Sequence, residues 1–520
     1  MKIHDAGHVN NPAVGRFPDQ GQDLAADSSR LEATLEEKFP SSRHLKWSVV
    51  FLLVYFGLRL LFFALTISPF VPPDEVTHVG VSRIFSEVFF LPENSPETYQ
   101  YGLVTNIPWL YYWTMGRLLA VNFFGIPDLL FLRLLNIPFA FATIYFVWRM
   151  LRLLTDDRLT QLLLIVAMTN TLMFSFLSAF VTYDNLINLL AAMAVYYLFA
   201  FFRTRSGNLL AASLLCQLAG SLTKTSFLPL VLVLNVLLLI HEFRNLRVLP
   251  SALASFFRAS GARGLFLMLA ILLGLSLNIR LYGGNYLHYE TLTPDLSDVL
   301  SPEIAMQNRL GARTVIFSLF KEGRISKEDA LAMTSKINNP ADRADTIYLI
   351  LNYEDQKQKG APVIGPLEYI PIWCRTMLGS IFGILAHVSM LNEGPTILPF
   401  VTMLVLAGIG ILVRWRPRDT EQLPSYLMVI AFFYAFVLLY YINYSSYVAY
   451  RSLLIGLQGR YLFPVIGPIY VLASYYLIGL FRGEYARLGV FLAAALIFIA
   501  FDFPYFLAHT TTDWFAPIFR

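Results

Sequence analysis

WSVVFLLVYFGLRLLFFALTISPFVPPDEVTHVG, residues 47–80, decides how the rest of the chain is read. Residues 47–70 are built almost entirely from Trp, Val, Leu, Phe and Tyr, a run long enough to cross a bilayer, which takes about 20 such residues. Asp74, Glu75 and His78 stand directly after it. Two carboxylates and an imidazole at a membrane surface cost desolvation if buried and contribute little if merely wet. They are either incidental or the chemistry of the protein.

The composition agrees with the first half of the stretch. The chain has 520 residues, 56% of them hydrophobic and only 14% charged, against roughly 25% charged in an average soluble domain. It reads as an all-α, polytopic membrane protein. The net charge of +4 says little, because in such a protein the placement of Lys and Arg sets orientation and their sum does not. Cys216 and Cys374 match no disulfide framework or metal spacing. Residues 1–46, including NNPAVGRFPDQGQDLAADSSR, are too polar to fold alone and read as a disordered cytoplasmic tail. With so much polar chain ahead of it and no small-residue cleavage site behind it, the 47–70 run is expected to be a retained anchor.

Apolar runs recur near 129–150, 160–181, 185–202, 208–222, 227–241, 264–282, 395–413, 424–443, 460–480 and 487–507, which with the first predicts about 11 transmembrane helices; the short runs 208–222 and 227–241 are alternatively two halves of a helical hairpin broken at Lys224 and Pro229. Segment 103–124 is decided by charge. If it does not cross, every second loop is basic: Arg43 and Lys46, then 149–158, 203–205, 241–263, 414–418 and 482–487. That is the positive-inside pattern, so 103–124 is read as an interfacial or re-entrant amphipathic helix whose Trp109, Tyr111, Tyr112 and Trp113 suit the headgroup region. The N-terminus is then cytoplasmic and the C-terminus external. A first external loop (71–128), a long loop read as a small helical cap (283–394) and C-terminal helices with an external tail (395–520) complete the organisation, around a transmembrane module over 47–282.

The polar motifs collect on the external face. In VPPDEVTHVG the prolines end the span and a helix starts, which puts Asp74 and His78 four apart on one face; acidic residues also simply favour a first helical turn. SAFVTYDNLIN places Asp184 at the outer end of a span, as an N-cap or a functional group. GSLTKTSFLP sets Lys224 between two apolar runs, where it snorkels or holds a phosphate. YVAYRSLLIGLQGRYLFP puts Arg451, Arg460 and Tyr461 outside, against the charge bias, so the arginines ask for an anionic partner or pair with acidic loop residues. His288, His387, Glu290, Glu303, Glu368 and Glu393 lie in the long loop with no spacing to single one out. No phosphate-binding glycine loop is present, and nothing suggests nucleic acid.

This order of features resembles the GT-C superfamily, polytopic glycosyltransferases that use polyprenyl- or dolichyl-phosphate-linked sugars. PPDEVTH, YDNLIN, KTSFLPL and QGRYLFP are similar to a bacterial membrane family within it, over about residues 47–480. The resemblance implies a GT-C-like bundle in a bacterial inner membrane with an external, periplasmic active site. It implies Asp74 or Glu75 as catalytic base, Asp184 on the cavity wall, and Lys224 and Arg460, with Tyr461, for the lipid phosphate. His78 departs from many members. It leaves open a divalent cation, with Asp74 and His78 as candidate ligands. The expected reaction is inverting transfer of a sugar from a polyprenyl-phosphate donor to a glycan, lipid or protein acceptor. The physics fits, because the leaving phosphate needs cations and the attacking hydroxyl needs a base. The alternative is a transporter or flippase of an anionic lipid or glycolipid, against which the chain shows no internal repeat.

Overall fold

Backbone N–H and C=O groups in lipid have no water to bond, so an apolar run must satisfy them internally as a helix. The computed structural model describes residues 43–95, 98–242, 261–306, 308–337, 340–384, 397–415, 422–453 and 455–516. Among these every regular element is helical, and a single antiparallel bridge joins Ile67 to Phe515. The chain divides into two units, residues 1–51 and 52–520. The first is described only over the opening turns of α1; all that follows concerns the second. Residues 1–42 of the expected tail at 1–46, most of the basic loop at 241–263, and His387 and Glu393 lie outside the described residues, and residues 43–46 belong to the first helix.

The helices that matter here are α1 (Arg43–Thr66), α2 (Glu75–Glu87), α3 (Leu110–Leu119), α4 (Asp128–Arg152), α5 (Arg158–Thr169), α6 (Leu172–Ser178), α7 (Tyr183–Thr204), α8 (Gly207–Ser221), α9 (Leu228–His241), α10 (Gly261–Asn278), α11 (Arg309–Lys321), α12 (Lys327–Met333), α13 (Pro340–Gln358), α14 (Pro366–Phe382), α15 (Leu398–Arg414), α16 (Leu423–Phe436), α17 (Ile466–Leu480) and α18 (Glu484–Ala500). Among the described residues, seven helical segments are long and apolar enough to cross a membrane: Lys46–Thr66, Asp128–Arg152, Tyr183–Thr204, Gly261–Tyr289, Leu423–Tyr450, Gly459–Leu480 and Glu484–His509. The pair α5 and α6, bent by 60°, makes up to eight. The protein therefore spans the membrane several times. The eleven apolar runs fall largely on helices, but α8 and α9, at 15 and 14 residues, are shorter than a straight crossing takes, and α15, at 17, is at the lower limit.

Burial sorts these helices. In α7 and in segment 459–480, 72% and 78% of the apolar window is buried, against 11% in 261–289, so the first two are the inner helices and the last is peripheral. α4 and α8 pack on α7, and α15, α16 and α5 on α17. α3 is a ten-residue helix, half the length of a crossing. It lies on α2 through Val79, Val81, Phe85, Tyr111, Tyr112 and Met115. Helices α11 to α13 form a satellite cluster with its own core of Ala312, Ile316, Phe317, Ala330, Ile337, Leu349 and Ile350.

Ionisable groups also occur inside the spans. Arg59 of α1 is buried against Asp502 and donates to the Thr169 carbonyl at the α5–α6 bend. Both groups are paired, the arrangement that makes charge tolerable at that depth.

Candidate functional site

The segment between α1 and α2 places two adjacent carboxylates in different worlds. Asp74 precedes α2 in the left-handed conformation, φ +60° and ψ +11°, and its side chain does not cap the helix. Asp tolerates this conformation better than most residues, yet it carries strain of about 1 kcal/mol or more that the surroundings must hold, as is common at functional sites. Its carboxylate is 24% exposed and meets the Arg460 guanidinium, Nη2 to Oδ2, at 3.3 Å.

Glu75, the next residue, is 1% exposed. Arg133 Nε donates to Oε1 at 2.8 Å and Nη2 to Oε2 at 2.5 Å, and the Val181 amide donates to Oε1 at 3.0 Å. Burial pushes the Glu75 carboxyl up, and Arg133 and Val181 pull against it. Arg133 also donates from Nη1 to the Ala64 and Ile67 carbonyls at 2.9 Å each, groups that the end of α1 leaves without helical partners. Glu75 thus ties the end of α1, the start of α2, the first turns of α4 and the approach to α7.

The sequence-predicted groups Asp74, His78, Asp184, Lys224, Arg460 and Tyr461 come together. Thr182 caps α7, accepting from the Asp184 amide at 3.3 Å, so Asp184 sits in the first turn and its carboxylate is left for other partners. Lys224 Nζ donates to Asp184 Oδ1 at 2.5 Å, and Arg460 Nη1 lies 3.5 Å from Oδ2. Lys224 follows the end of α8 and stands over the rings of Tyr183 (4.4 Å) and Tyr461 (4.9 Å). Burial would lower its ammonium, but Asp184 outweighs that and holds it above the ordinary lysine value. Arg460 is carried by a tight loop. The Gly459 amide donates to Ser380 Oγ at 2.6 Å, and a Cβ on Gly459 would lie 2.6 Å from Ile381 Cγ1 and 2.7 Å from the Met377 carbonyl, so only glycine lets α14 press this close. Asn443 Nδ2 holds the Gly456 carbonyl at 2.5 Å and its Oδ1 accepts from Trp373.

A cavity of about 480 Å³ opens beside this cluster. Its wall carries Asp74, Thr77, His78, Tyr112, Tyr183 and Lys224, and Asp295, Ser297 and Thr314 from the later segment. Glu75 is not on that wall, and Asp184 and Arg460 stand behind it. Arg451 is not part of the cluster: its carbonyl accepts from Asn352 and Gln356 at 2.9 Å. A larger cavity, about 910 Å³, lies at the opposite end of segment 459–480 among Asp157, Arg414, Tyr475, Arg482 and Arg487; the two share no lining residue.

With His78 neutral, two carboxylates and two cations balance. Such a set can receive an anion by exchanging partners, and Asp74 can take a proton once Arg460 turns away. It does not fit a resident divalent cation. Asp74 Oδ2 faces a guanidinium, His78 Nδ1 is taken by Tyr112, and among the described residues no three His, Cys, Asp or Glu side chains gather. Arg133 and Tyr112 escaped the sequence reading. A lone arginine in an apolar span was the available signal for the first; the second was hidden in an aromatic girdle.

No protein-family model and no curated protein matches the chain. Among solved structures it is similar to ArnT from Cupriavidus metallidurans in the apo state, with TM-score 0.36 and 14% identity over 84% of this chain and 78% of that one. The same enzyme bound to undecaprenyl phosphate gives TM-score 0.35 and 13% identity over 85% and 78%.

Proposed function

We infer that the protein is a GT-C-like membrane glycosyltransferase that moves a sugar from a polyprenyl-phosphate-linked donor to an acceptor hydroxyl, at the external face of a bacterial inner membrane. The observation that carries this reading is the chain of partners Asp74, Arg460, Asp184 and Lys224 beside a cavity at the ends of the two innermost helices. The basic loops, all on the other side by the charge pattern, support the external placement.

In this reaction Asp74 accepts the proton of the acceptor hydroxyl. The hydroxyl oxygen attacks the anomeric carbon from the side opposite the phosphate, and the bond between that carbon and the phosphate oxygen breaks. The phosphate leaves with the electron pair and gains one negative charge as Asp74 loses one. Arg460, paired with Asp74 at rest, then turns to the phosphate beside Lys224, so the charge of the site is conserved through the step. One displacement inverts the sugar. Asp184 keeps the two cations in place, Tyr461 flanks both, and Glu75 holds the framework. The glycan, lipid or protein acceptor enters past Asp295, Ser297 and Thr314.

The lack of an internal repeat in the sequence favours this over a transporter or flippase. The test is transfer of radiolabel from a panel of polyprenyl-phosphate sugars to envelope acceptors by the purified protein. Asp74→Asn is expected to lower single-turnover transfer about 10²- to 10⁴-fold, the usual weight of a general base, with donor binding kept. Full transfer by Asp74→Asn would end the assignment.

A further inference from the structure

One member of the cluster has a hydrogen bond to spare. His78 is 2% exposed, its Nδ1 lies 2.9 Å from the Tyr112 hydroxyl, its Nε2 is buried without a partner among the described residues, and the residue lines the cavity. Two tautomers are open to the pair. If Nδ1 carried the proton and donated to Tyr112, the hydroxyl proton would have no acceptor among the described residues and Nε2 would be a second unmatched atom. If Tyr112 donates to Nδ1, the hydroxyl is satisfied and only an Nε2–H is left, on a residue that lines the cavity. A buried N–H without an acceptor costs about 1–3 kcal/mol, so its acceptor is expected to be the ligand.

We propose that Tyr112 holds His78 as the neutral Nε2–H tautomer and that this N–H donates to an anionic oxygen of the bound phosphate, an uncharged donor set between two cations. The inference rests on the anion-site reading above. The described charged groups around the ring pull in both directions, and burial decides between them. Asp74 and Asp184 favour a proton on His78, Arg460 and Lys224 oppose it, and burial, the largest influence, pushes its pKa down to about 4. Tyr112 and Tyr183 pack on the ring, and Tyr111 stands edge-on beyond it. Burial raises the Tyr112 hydroxyl well above its usual value, which keeps the donated proton on its oxygen. A neutral donor suits a group that is already crowded with charge: it adds a directed hydrogen bond and does not compete with Asp74 for a proton. Tyr112 is a positioning residue here, acting through His78.

The experiment uses the full chain in detergent and a farnesyl phosphodiester, whose single negative charge does not titrate between pH 5.5 and 8, with dissociation constants read by thermophoresis. Wild type should bind with a constant that moves less than about twofold over that range. His78→Phe should weaken binding roughly 10- to 100-fold, the worth of a hydrogen bond to a charged group. His78→Gln, which keeps an N–H donor, should stay within a few-fold, and this controls for folding. Tyr112→Phe should lose affinity and introduce a pH dependence, which a purely structural tyrosine would not. An affinity in wild type that falls about tenfold between pH 5.5 and 8 would make His78 a cation and overturn the proposal, as would wild-type affinity in His78→Phe. Failure of wild type to bind the phosphodiester at all would overturn the anion-site reading and this inference with it.

Discussion

Glu75→Gln isolates the framework from the chemistry. Arg133 makes four hydrogen bonds, two to the Glu75 carboxylate and two to the carbonyls of Ala64 and Ile67, and both side chains of the ion pair are 0% exposed. The glutamine amide would set an NH2 against a guanidinium N–H and remove the charge that balances Arg133 at close range. Breaking a buried pair from one side costs about 3–5 kcal/mol, mostly the uncompensated charge that remains. Because the pair joins α1, α2, α4 and the approach to α7, that loss should appear as a clearly lower midpoint in a thermal scan of the purified protein, followed by tryptophan fluorescence. Midpoints are compared because a chain of this size with several spans does not unfold in one step. The double variant Glu75→Gln with Arg133→Gln should be less destabilised than the two singles summed, since the stranded charge is gone. Folded Glu75→Gln should still transfer sugar, at a rate well above Asp74→Asn. An unchanged midpoint together with abolished transfer would refute the reasoning and make Glu75 the reacting carboxylate.

Asp184→Asn should release Lys224 and loosen Arg460, weakening polyprenyl phosphate binding about 10- to 100-fold by the worth of a charge-assisted bond, measured by lipid binding in detergent with Asp74→Asn as the control that keeps binding. Gly459→Ala puts a methyl against Ile381, the Met377 carbonyl and Ser380 Oγ; displacement of the Arg460 loop should cut turnover more than tenfold, a loss of about 1.4 kcal/mol or more in transition-state stabilisation, with thermal stability changed by less than in Glu75→Gln. Acidification should destabilise the protein through His78. The unfolded residue takes up a proton near pH 6.5 and the folded one only near 4, so between these values the unfolded chain holds more protons and stability rises with pH. The gap corresponds to roughly 3 kcal/mol, gained as pH climbs from about 4 to 6.5, and His78→Gln should flatten that part of the midpoint-against-pH curve.

Much of this protein was legible in one dimension. Apolar runs report helices because lipid allows no other open-ended backbone, and the runs are largely helical in the structure. The number that cross was less legible: α8 and α9, on either side of Lys224, are too short for a straight crossing, and composition does not separate two short spans from the halves of one broken hairpin. The motifs around Asp74, Asp184, Lys224 and Arg460 could be nominated from chemistry and loop charge, because charged residues at the end of a greasy helix need a reason to be there. Arg133 and Tyr112 could not be, since nothing in FLRLLN or LYYW names the partner that makes each matter.

The sequence by itself fixes that the chain is helical, that it spans a membrane and that an acidic pair stands at the exit of its first span. It cannot divide the pair. Asp74 and Glu75 are neighbours at a helix start, but Asp74 holds the left-handed conformation ahead of the helix and Glu75 is its first helical residue. One turn of the backbone therefore sends one carboxylate to the cavity and Arg460, and the other into the protein and Arg133. Which is which depends on groups 386 and 58 residues away, and only the packing of α4 and of segment 459–480 against α2 and α7 brings them there.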